Sequence, residues 1–212
     1  MINYDIYDDI AVRTGGDIYL GVVGPVRTGK STFIKKFMEL LILDKVEDKN
    51  KRTRMIDEMP QSADGKTIMT TEPKFVPNEA VTVTFDKMQA NVRLIDCVGY
   101  LIDEAIGHKE GKKPRLVKTP WSENGMPFQE AAELGTDKVI KEHSTVGILV
   151  TTDGTVTGIG RSKYAPAEER VVTSLKDSGK PFVIVLNTNT PTETDTVRLK
   201  ESLEERYSEP VI

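Results

Sequence analysis

The sequence predicts an α/β fold in which helices cover both faces of a mostly parallel sheet. Short apolar segments rich in β-branched residues alternate along the chain with segments whose apolar residues recur every three or four positions. A glycine-rich turn joins the first predicted strand to the first predicted helix. Strands that alternate with helices are joined by helical crossovers, which is the arrangement of a parallel sheet.

The spacing of apolar residues predicts each element in turn along the chain. Residues 17–23 form an apolar run that stops directly before the glycine-rich turn and predict a buried strand. Phe33, Ile34 and Phe37 lie at helical spacing and predict a helix over 31–43. The later segments predict strands at 81–85 and 91–97, a helix at 128–143, a strand at 146–152, a helix at 166–178, a strand at 181–187 and a helix at 194–207.

Two segments fall outside this alternation. Residues 44–54 are dense in charge of both signs, which predicts a solvated helix end or a loop. Residues 107–125 are polar and basic and are too long for an ordinary connection. We therefore expect a switch or contact loop in the second segment.

The two ends of the chain give separate expectations. Ile6 and Ile10 lie at helical spacing, so residues 1–14 are expected to form a helical arm and residues 15–212 a single domain. Residues 210–212 follow the last predicted helix and look like the opening of another strand. We therefore expect this chain to stop before or within the last strand of its domain.

Composition excludes several classes of protein. The chain has 212 residues, of which 38% are apolar and 29% charged, as in a globular protein with a sizeable core. Its net charge of −4 gives no basic field, so we expect no nucleic-acid partner. The single cysteine, Cys97, cannot form an internal disulfide, and the chain has no apolar run of roughly 20 residues. These features favour a cytoplasmic protein.

The glycine-rich turn has the spacing of a nucleotide-binding loop. We call residues 24–31 the phosphate loop; with the residue that follows, it reads Gly24, Pro25, Val26, Arg27, Thr28, Gly29, Lys30, Ser31 and Thr32. In this pattern backbone N–H groups surround the β-phosphate, the lysine binds β- and γ-oxygens, and the hydroxyl binds Mg²⁺. The pattern follows a predicted strand and opens a predicted helix, which predicts the fold of a P-loop NTPase.

A second pattern predicts the metal side of the same site. Asp96 and Gly99 stand at the two ends of an Asp-x-x-Gly run after a predicted strand. Such an aspartate holds Mg²⁺, and such a glycine donates its N–H to the γ-phosphate. Between the two patterns, Thr70 or Thr71 lies where switch I completes the Mg²⁺ shell in GTPase-like (TRAFAC-type) folds. The alternative is a polar loop with helix-capping threonines.

The residues after the 181–187 strand favour ATP over GTP. GTPases of this architecture bind guanine with an Asn-Lys-x-Asp motif, and this chain has Asn187, Thr188 and Thr190 at the Asn, Lys and Asp positions. A neutral threonine cannot accept the two N–H bonds that guanine offers to the aspartate. We therefore expect ATP and Mg²⁺ as cofactors and keep Asn187 among the nucleotide-binding residues.

Turnover is expected to be slow. Tyr100 stands where small GTPases carry the glutamine that orients the attacking water. Arg27, inside the phosphate loop, has two interpretations. It stabilises the transition state in cis, as in the large guanylate-binding, dynamin-like proteins, or it only pairs with a nearby carboxylate.

Several runs beyond the phosphate loop resemble one family. They are Gly-Gly-Asp-Ile-Tyr-Leu-Gly-Val-Val-Gly at 15–24, the run 27–40, Thr-Thr-Glu-Pro-Lys-Phe-Val-Pro at 70–77, Asp-Cys-Val-Gly-Tyr at 96–100 and Thr-Thr-Asp-Gly-Thr at 151–155. These runs resemble the stage IV sporulation protein A family, the morphogenetic ATPases of the bacterial endospore coat. The resemblance spans essentially the whole chain and implies its nucleotide-binding domain.

The resemblance also implies a cellular role. It implies a GTPase-like fold whose ATP hydrolysis drives self-assembly of the basement layer of the coat, in the mother-cell cytoplasm at the forespore surface. Lys30 corresponds to the phosphate-loop lysine, Thr70 and Thr71 to the sensor threonines, and Asp96 to the Mg-site aspartate. The implied partners are other copies of the chain, other coat morphogenetic proteins and, through regions absent from this chain, the forespore membrane surface.

Two other functions stay open at this point. The first is a GTPase-like regulatory switch that acts on another protein. The second is a structural scaffold that binds nucleotide with negligible turnover, which Tyr100 at the glutamine position favours.

Overall fold

The computed structural model describes residues 17–60, 72–85, 88–102, 109–110, 113–120 and 122–212. Its strands are β1 (Asp17–Val23), β2 (Lys74–Phe85), β3 (Met88–Asp96), β4 (Lys109–Glu110), β5 (Lys113–Pro114), β6 (Leu116–Thr119), β7 (Ser122–Pro127), β8 (Val146–Thr152) and β9 (Phe182–Asn187). Its α-helices are α1 (Lys30–Phe37), α2 (Lys49–Glu58), α3 (Phe128–Lys138), α4 (Ala165–Ser178) and α5 (Thr194–Tyr207). Short π-helical turns, Met38–Ile42 and Val139–His143, extend α1 and α3.

The central sheet is mostly parallel, as the sequence predicts. Its strand order is β2-β3-β1-β8-β9. Strand β1 is parallel to β3 and to β8, and β9 is parallel to β8, whereas β2 at the edge is antiparallel to β3. The carboxyl ends of the four parallel strands therefore meet at one edge of the sheet, which is where ligands bind in open α/β sheets.

Helices pack on both faces of this sheet, because the strands are apolar on both sides. Neighbouring residues of β1 enter two different apolar clusters: Val22 lies in one and Val23 in the other. The Val22 cluster includes Ile34 of α1 and Met55 of α2. The Val23 cluster includes helical residues of α4 and α5, among them Leu175. Side chains alternate between faces along a strand, so the two clusters lie on opposite faces.

Most of the predicted elements are confirmed, and two segments differ in structure from what was expected. Residues 44–54 were expected as a helix end or a loop, but helix α2 begins at Lys49, capped by the Asp48 carboxylate. Only Met55 of α2 is buried, so its apolar pattern was too weak to recognise. The described part of 107–125 is not one long loop, because β6 and β7 pair there as a short hairpin. The predicted arm at 1–14 lies outside the described residues.

Helix α1 continues differently from the uniform helix that the sequence predicts over 31–43. Its buried residues Ile34, Met38 and Ile42 recur every four positions. A regular α-helix repeats every 3.6 residues, so a strict spacing of four drifts off the buried face unless the helix unwinds locally. The π-helical turn at Met38–Ile42 supplies this unwinding.

The last residues pair with the edge of the sheet next to β9. Val211 forms a parallel bridge with Ile184, and the Ile212 N–H donates to the Ile184 carbonyl at 2.9 Å. The Leu186 N–H donates to the Ile212 carbonyl at 2.8 Å. The predicted opening of a further strand is thus present. Within the described ranges no helix is long and apolar enough to cross a membrane.

Candidate phosphate-binding site

The phosphate loop turns sharply between β1 and α1. Gly29 has a φ of +96°, and a Cβ there would overlap the side-chain nitrogen of Asn187, so both conformation and space require glycine. The Asn187 amide donates to the Thr28 carbonyl at 2.9 Å, and the Thr28 hydroxyl donates to the Pro25 carbonyl at 3.0 Å. Asn187 at the end of β9 therefore holds the loop from outside.

Helix α1 begins at Lys30 without a side-chain cap from Gly29. The first amides of an α-helix have no partner within the helix, and the helix dipole places partial positive charge at the same end. The loop that precedes α1 therefore presents backbone N–H groups at the carboxyl end of β1. This arrangement suits an anion such as a phosphate.

Lys30 is buried and is bound by its own loop. Its Nζ donates to the Pro25 carbonyl at 2.7 Å and to the Gly24 carbonyl at 3.3 Å. Burial lowers the pKa of Lys30, against the opposing effects of Cys97 and of Asp96. A buried ammonium held only by neutral carbonyls can gain strongly from an anion that enters the loop.

Asp96 comes from the end of β3 and faces the start of α1. Its Oδ2 accepts a hydrogen bond from the Ser31 hydroxyl at 2.8 Å. Its Oδ1 is buried and has no hydrogen-bond partner among the residues that the structure describes. Burial raises the pKa of Asp96, and the Ser31 hydrogen bond and the Lys30 charge act against that rise.

The donor set around Asp96 fits a magnesium ion. Mg²⁺ prefers oxygen ligands and is usually bound by one or two carboxylates or hydroxyls together with phosphate oxygens and water. The unpartnered Asp96 Oδ1 and the adjacent Ser31 hydroxyl are oxygens of this kind. Across the described part of the chain there is no cluster of three or more His, Cys, Asp or Glu side chains that could hold a metal by itself.

Residues 99–100 pair with the phosphate loop. The Val26 N–H donates to the Tyr100 carbonyl at 2.9 Å, and the Tyr100 N–H donates to the Gly24 carbonyl at 3.3 Å. A Cβ on Gly99 would overlap the Gly24 carbonyl and lie 2.7 Å from Lys30 Nζ, so only glycine allows this approach. The two patterns that the sequence predicts to share a site are therefore hydrogen-bonded to each other.

The side chain of Tyr100 points away from the phosphate loop. Its hydroxyl donates to Asp137 Oδ1 at 2.6 Å, and the Arg170 guanidinium lies 4.6 Å from the centre of its ring. Burial and the Asp137 carboxylate raise the pKa of Tyr100. The hydroxyl is committed to helix α3, so Tyr100 does not replace the water-orienting glutamine in this arrangement.

The carboxyl ends of β8 and β9 are joined by polar contacts. The Thr188 hydroxyl donates to Asp153 Oδ2 at 2.5 Å, and the Thr155 hydroxyl donates to Asp153 Oδ1 at 2.7 Å. Burial opposes ionisation of Asp153, but the hydrogen bonds from Thr188 and Thr155 outweigh it and lower its pKa. Thr188, which stands at the lysine position of the guanine motif, is thus hydrogen-bonded within the protein.

The structure brings most of the predicted site residues together. Lys30, Ser31, Asp96 and Gly99 adjoin the phosphate loop, and Asn187 supports it from β9. Thr32 and Arg27 are exposed; Arg27 has a φ of +64° and forms no ion pair within the described residues. Thr70 and Thr71 lie outside the described residues.

Two residues near the site were missed in the sequence. Thr136 and Asp137 of α3 bind the Gly99 amide and the Tyr100 hydroxyl, respectively. Both lie 37 positions away in the chain from the residues that they contact. Neither belongs to a recognisable motif, so only the packing of α3 against the site reveals them.

The chain is similar to proteins of one known family. The model of a family described as "Stage IV sporulation protein A, ATPase domain" matches residues 1–212. Curated proteins named stage IV sporulation protein A are 57% identical in Bacillus anthracis, 56% in Clostridioides difficile and 56% in Bacillus subtilis, each over the whole chain. The chain spans 43% of the length of each of these relatives.

Proposed function

Because this chain belongs to the stage IV sporulation protein A family, we propose that it binds ATP with Mg²⁺ at the phosphate loop and hydrolyses it slowly. The family description names an ATPase domain, which implies nucleotide binding. We assign the fold to the P-loop NTPases of the GTPase-like (TRAFAC) type. The strand order, with β1 between β3 and β8 and the glycine-rich loop at its carboxyl end, supports that assignment.

The observation that carries the proposal is the Asp96 oxygen that has no partner within the described residues. A buried carboxylate oxygen without a hydrogen bond costs free energy unless a ligand satisfies it. Here it lies beside the Ser31 hydroxyl, in the electrostatic field of the Lys30 ammonium. A metal-bound triphosphate would satisfy this oxygen, the ammonium and the amides at the start of α1 together.

Each residue has a distinct part in the proposed reaction. Mg²⁺, held by Ser31 and Asp96, would neutralise charge on the phosphate oxygens when it is bound. Lys30 exchanges its loop carbonyls for β- and γ-oxygens, and Gly99 donates its N–H to the γ-phosphate. Thr70 or Thr71 completes the metal shell, and Arg27 stabilises the charge that develops in the transition state.

The contacts at β9 support ATP rather than GTP. Thr188 donates to Asp153, so this pair offers guanine no free carboxylate of the kind that the guanine motif supplies. Loss of a charge-assisted hydrogen bond typically costs about 1.5–3 kcal/mol. A GTPase-like regulatory switch is for this reason the weaker alternative.

The test is a calorimetric titration of the chain with Mg-ATP and Mg-GTP, together with a hydrolysis assay. We expect binding and slow hydrolysis of ATP, weaker binding of GTP, and loss of ATP binding in Lys30→Ala, because the β- and γ-charges are then under-compensated. Lys35→Ala is the matched control, since Lys35 is a half-exposed lysine of α1 that faces Glu39 instead of the loop. Equal ATP affinity in Lys30→Ala and Lys35→Ala would refute the site.

A nucleotide-binding scaffold with negligible turnover is the second candidate. The observation in its favour is that the Tyr100 hydroxyl donates its hydrogen to Asp137, on the side of helix α3. The hydrolysis assay separates the two functions: tight ATP binding with no phosphate release over hours would favour the scaffold.

For the longer protein, we propose that hydrolysis drives self-assembly of the basement layer of the spore coat at the forespore surface. The relatives are named as sporulation proteins, which supports this role. Sedimentation of the longer protein with ATP, with ADP and after Lys30→Ala tests it. Pellets of equal size in all three samples would contradict a role for hydrolysis.

A further inference from the structure

The Gly99 amide forms a hydrogen bond within the protein. Its N–H donates to the hydroxyl oxygen of Thr136 at 3.2 Å. Gly99 has a φ of +92°, and the carbonyl of Gly24 and the ammonium of Lys30 fill the space where a Cβ would stand. The N–H that the proposed function assigns to the γ-phosphate is thus directed at helix α3.

The Thr136 hydroxyl is oriented to accept this hydrogen bond. Thr136 is fully buried, and its own hydroxyl donates to the Ala132 carbonyl one turn earlier in α3 at 2.8 Å. A hydroxyl has a single hydrogen and two acceptor positions. Because that hydrogen is committed to Ala132, the oxygen is left to accept from Gly99.

A second contact holds residues 99–100 against α3, and it does not depend on the bond between Gly99 and Thr136. Tyr100, next to Gly99, donates its hydroxyl to Asp137, next to Thr136. The Asp137 carboxylate also accepts from Ser174 of α4 at 2.9 Å, and the Arg170 guanidinium lies over the Tyr100 ring. Two consecutive residues of the segment therefore bind two consecutive residues of α3, but only the Gly99 bond lies next to the phosphate loop.

We propose that Thr136 is the resting acceptor of the Gly99 N–H and that a triphosphate must take this N–H from it. The proposal rests on the proposed function, since it requires a γ-phosphate at the loop. A diphosphate lacks that phosphate and leaves the Gly99–Thr136 bond intact. Thr136 is accordingly a positioning residue that weakens triphosphate binding relative to diphosphate binding and so sets the preference of the site between the two.

Removal of the Thr136 hydroxyl should change the preference between triphosphate and diphosphate and leave the other contacts of the phosphate loop unchanged. In Thr136→Val the shape of the side chain is kept, but the buried Gly99 N–H loses its oxygen acceptor and keeps only the weakly accepting sulfur of Cys97 until a γ-phosphate arrives. The ratio of the Kd for ADP to the Kd for a non-hydrolysable ATP analogue should then rise about fivefold, the factor that corresponds to one hydrogen bond of typical net strength. In Thr136→Ser, which keeps the hydroxyl, the ratio should stay near that of the parent.

The experiment is calorimetry with both nucleotides and Mg²⁺ on the parent chain, Thr136→Val, Thr136→Ser and Thr173→Val. Thr173 is the matched control, because it is an exposed threonine of α4 whose hydroxyl makes the same helical bond, to the Glu169 carbonyl at 2.8 Å. A valine at 136 that weakens both nucleotides by the same factor would show a purely structural role and overturn the proposal. Absence of nucleotide binding by the parent would instead refute the proposed function.

The parent chain offers a check that needs no variant. Without nucleotide, the amide hydrogen of Gly99 should exchange slowly with solvent, since it is buried and bonded to Thr136. Exchange at the rate of an unprotected amide would overturn the proposal even if Thr136→Val failed to fold.

Discussion

The charge of the Asp96 carboxylate depends on its surroundings. Burial raises its pKa, whereas the Ser31 hydroxyl and the Lys30 ammonium lower it. One of its oxygens is satisfied by Ser31, and the other has no partner within the described residues. The ionised form is therefore costly until a cation reaches it.

We expect the Mg²⁺-dependent part of ATP binding to weaken as the pH falls. Above its pKa Asp96 is ionised and can bind the metal, and below it a proton competes with the metal. Because the pKa of the folded protein is raised, the midpoint of this loss should lie above the ordinary aspartate value of about 3.9. Calorimetric titrations over a pH series, with and without Mg²⁺, measure it.

Asp96→Asn is the control for this pH series. Protonation of ATP itself affects the parent and the variant equally, so the difference between them reports the carboxylate. We expect Asp96→Asn to gain nothing from Mg²⁺ at any pH. A variant with the Mg²⁺ dependence of the parent would assign the metal to another residue.

Arg27 is strained and exposed, which fits a part in the transition state. It adopts a φ of +64°, a region that costs free energy for a residue with a Cβ, and it forms no ion pair within the described residues. Arg27→Ala should lower the rate of ATP hydrolysis by about 10³-fold and change the ATP affinity only a few-fold. Arg27→Lys should not restore the rate, because an ammonium lacks the guanidinium fork. Parental rates in both variants would contradict the role.

The sequence predicted the residues of the site but not the hydrogen bonds that they form within the protein. Lys30, Asp96 and Gly99 were found because a phosphate loop and an Asp-x-x-Gly run constrain residue types at fixed spacing. No sequence motif indicates that Lys30 binds the carbonyls of its own loop or that Gly99 binds Thr136. Such contacts depend on how helices pack on the sheet, which spacing along the chain does not encode.

Among the elements, helix α4 is held by a charge that lies fully inside the protein. Glu168 is buried and accepts hydrogen bonds from Arg161 at 2.6 Å, from the Tyr207 hydroxyl of α5 at 2.9 Å and from the Thr151 hydroxyl of β8. One carboxylate therefore joins α4 to a strand, to the next helix and to the turn before it. The neighbouring Glu169 is half-exposed and pairs with Arg206.

Glu168→Gln should lower the free energy of unfolding by about 3 kcal/mol, because it leaves the Arg161 charge without its buried partner. Glu169→Gln is the matched control on the same helix and should cost less than about 1 kcal/mol, as is usual for an exposed ion pair. Urea denaturation at neutral pH measures both. Equal losses in the two variants would show that burial of Glu168 does not set its contribution.

Elements with one strongly apolar face were predicted well, and elements without one were not. The strand Val146–Thr152 and the helix Thr194–Tyr207 have the bounds that the sequence predicts. Helix α2 buries Met55 alone, and β6 has no buried residue, so neither shows the period of its type. Their structure depends on local capping and on hairpin pairing instead.

The central sheet separates two apolar clusters, and both include residues of β1. Val22 contacts one cluster and Val23 the other, and the phosphate loop begins at the next residue. The alternation of strands and helices along the sequence predicted this layering, because strands buried on both faces are apolar at every position. The antiparallel direction of β2 was not predicted, since the sequence at 86–87, between β2 and β3, has no hairpin signature.

The hydrogen bonds between Lys30 and the carbonyls of its own phosphate loop affect which anions can bind there. An incoming ligand competes with the Pro25 and Gly24 carbonyls for the Lys30 ammonium, so only the surplus of its attraction over theirs appears as affinity. Anions of low charge density gain little over two carbonyl dipoles, whereas adjacent phosphates carry several charges into the same space. We therefore expect the loop to bind a polyphosphate chain and not chloride.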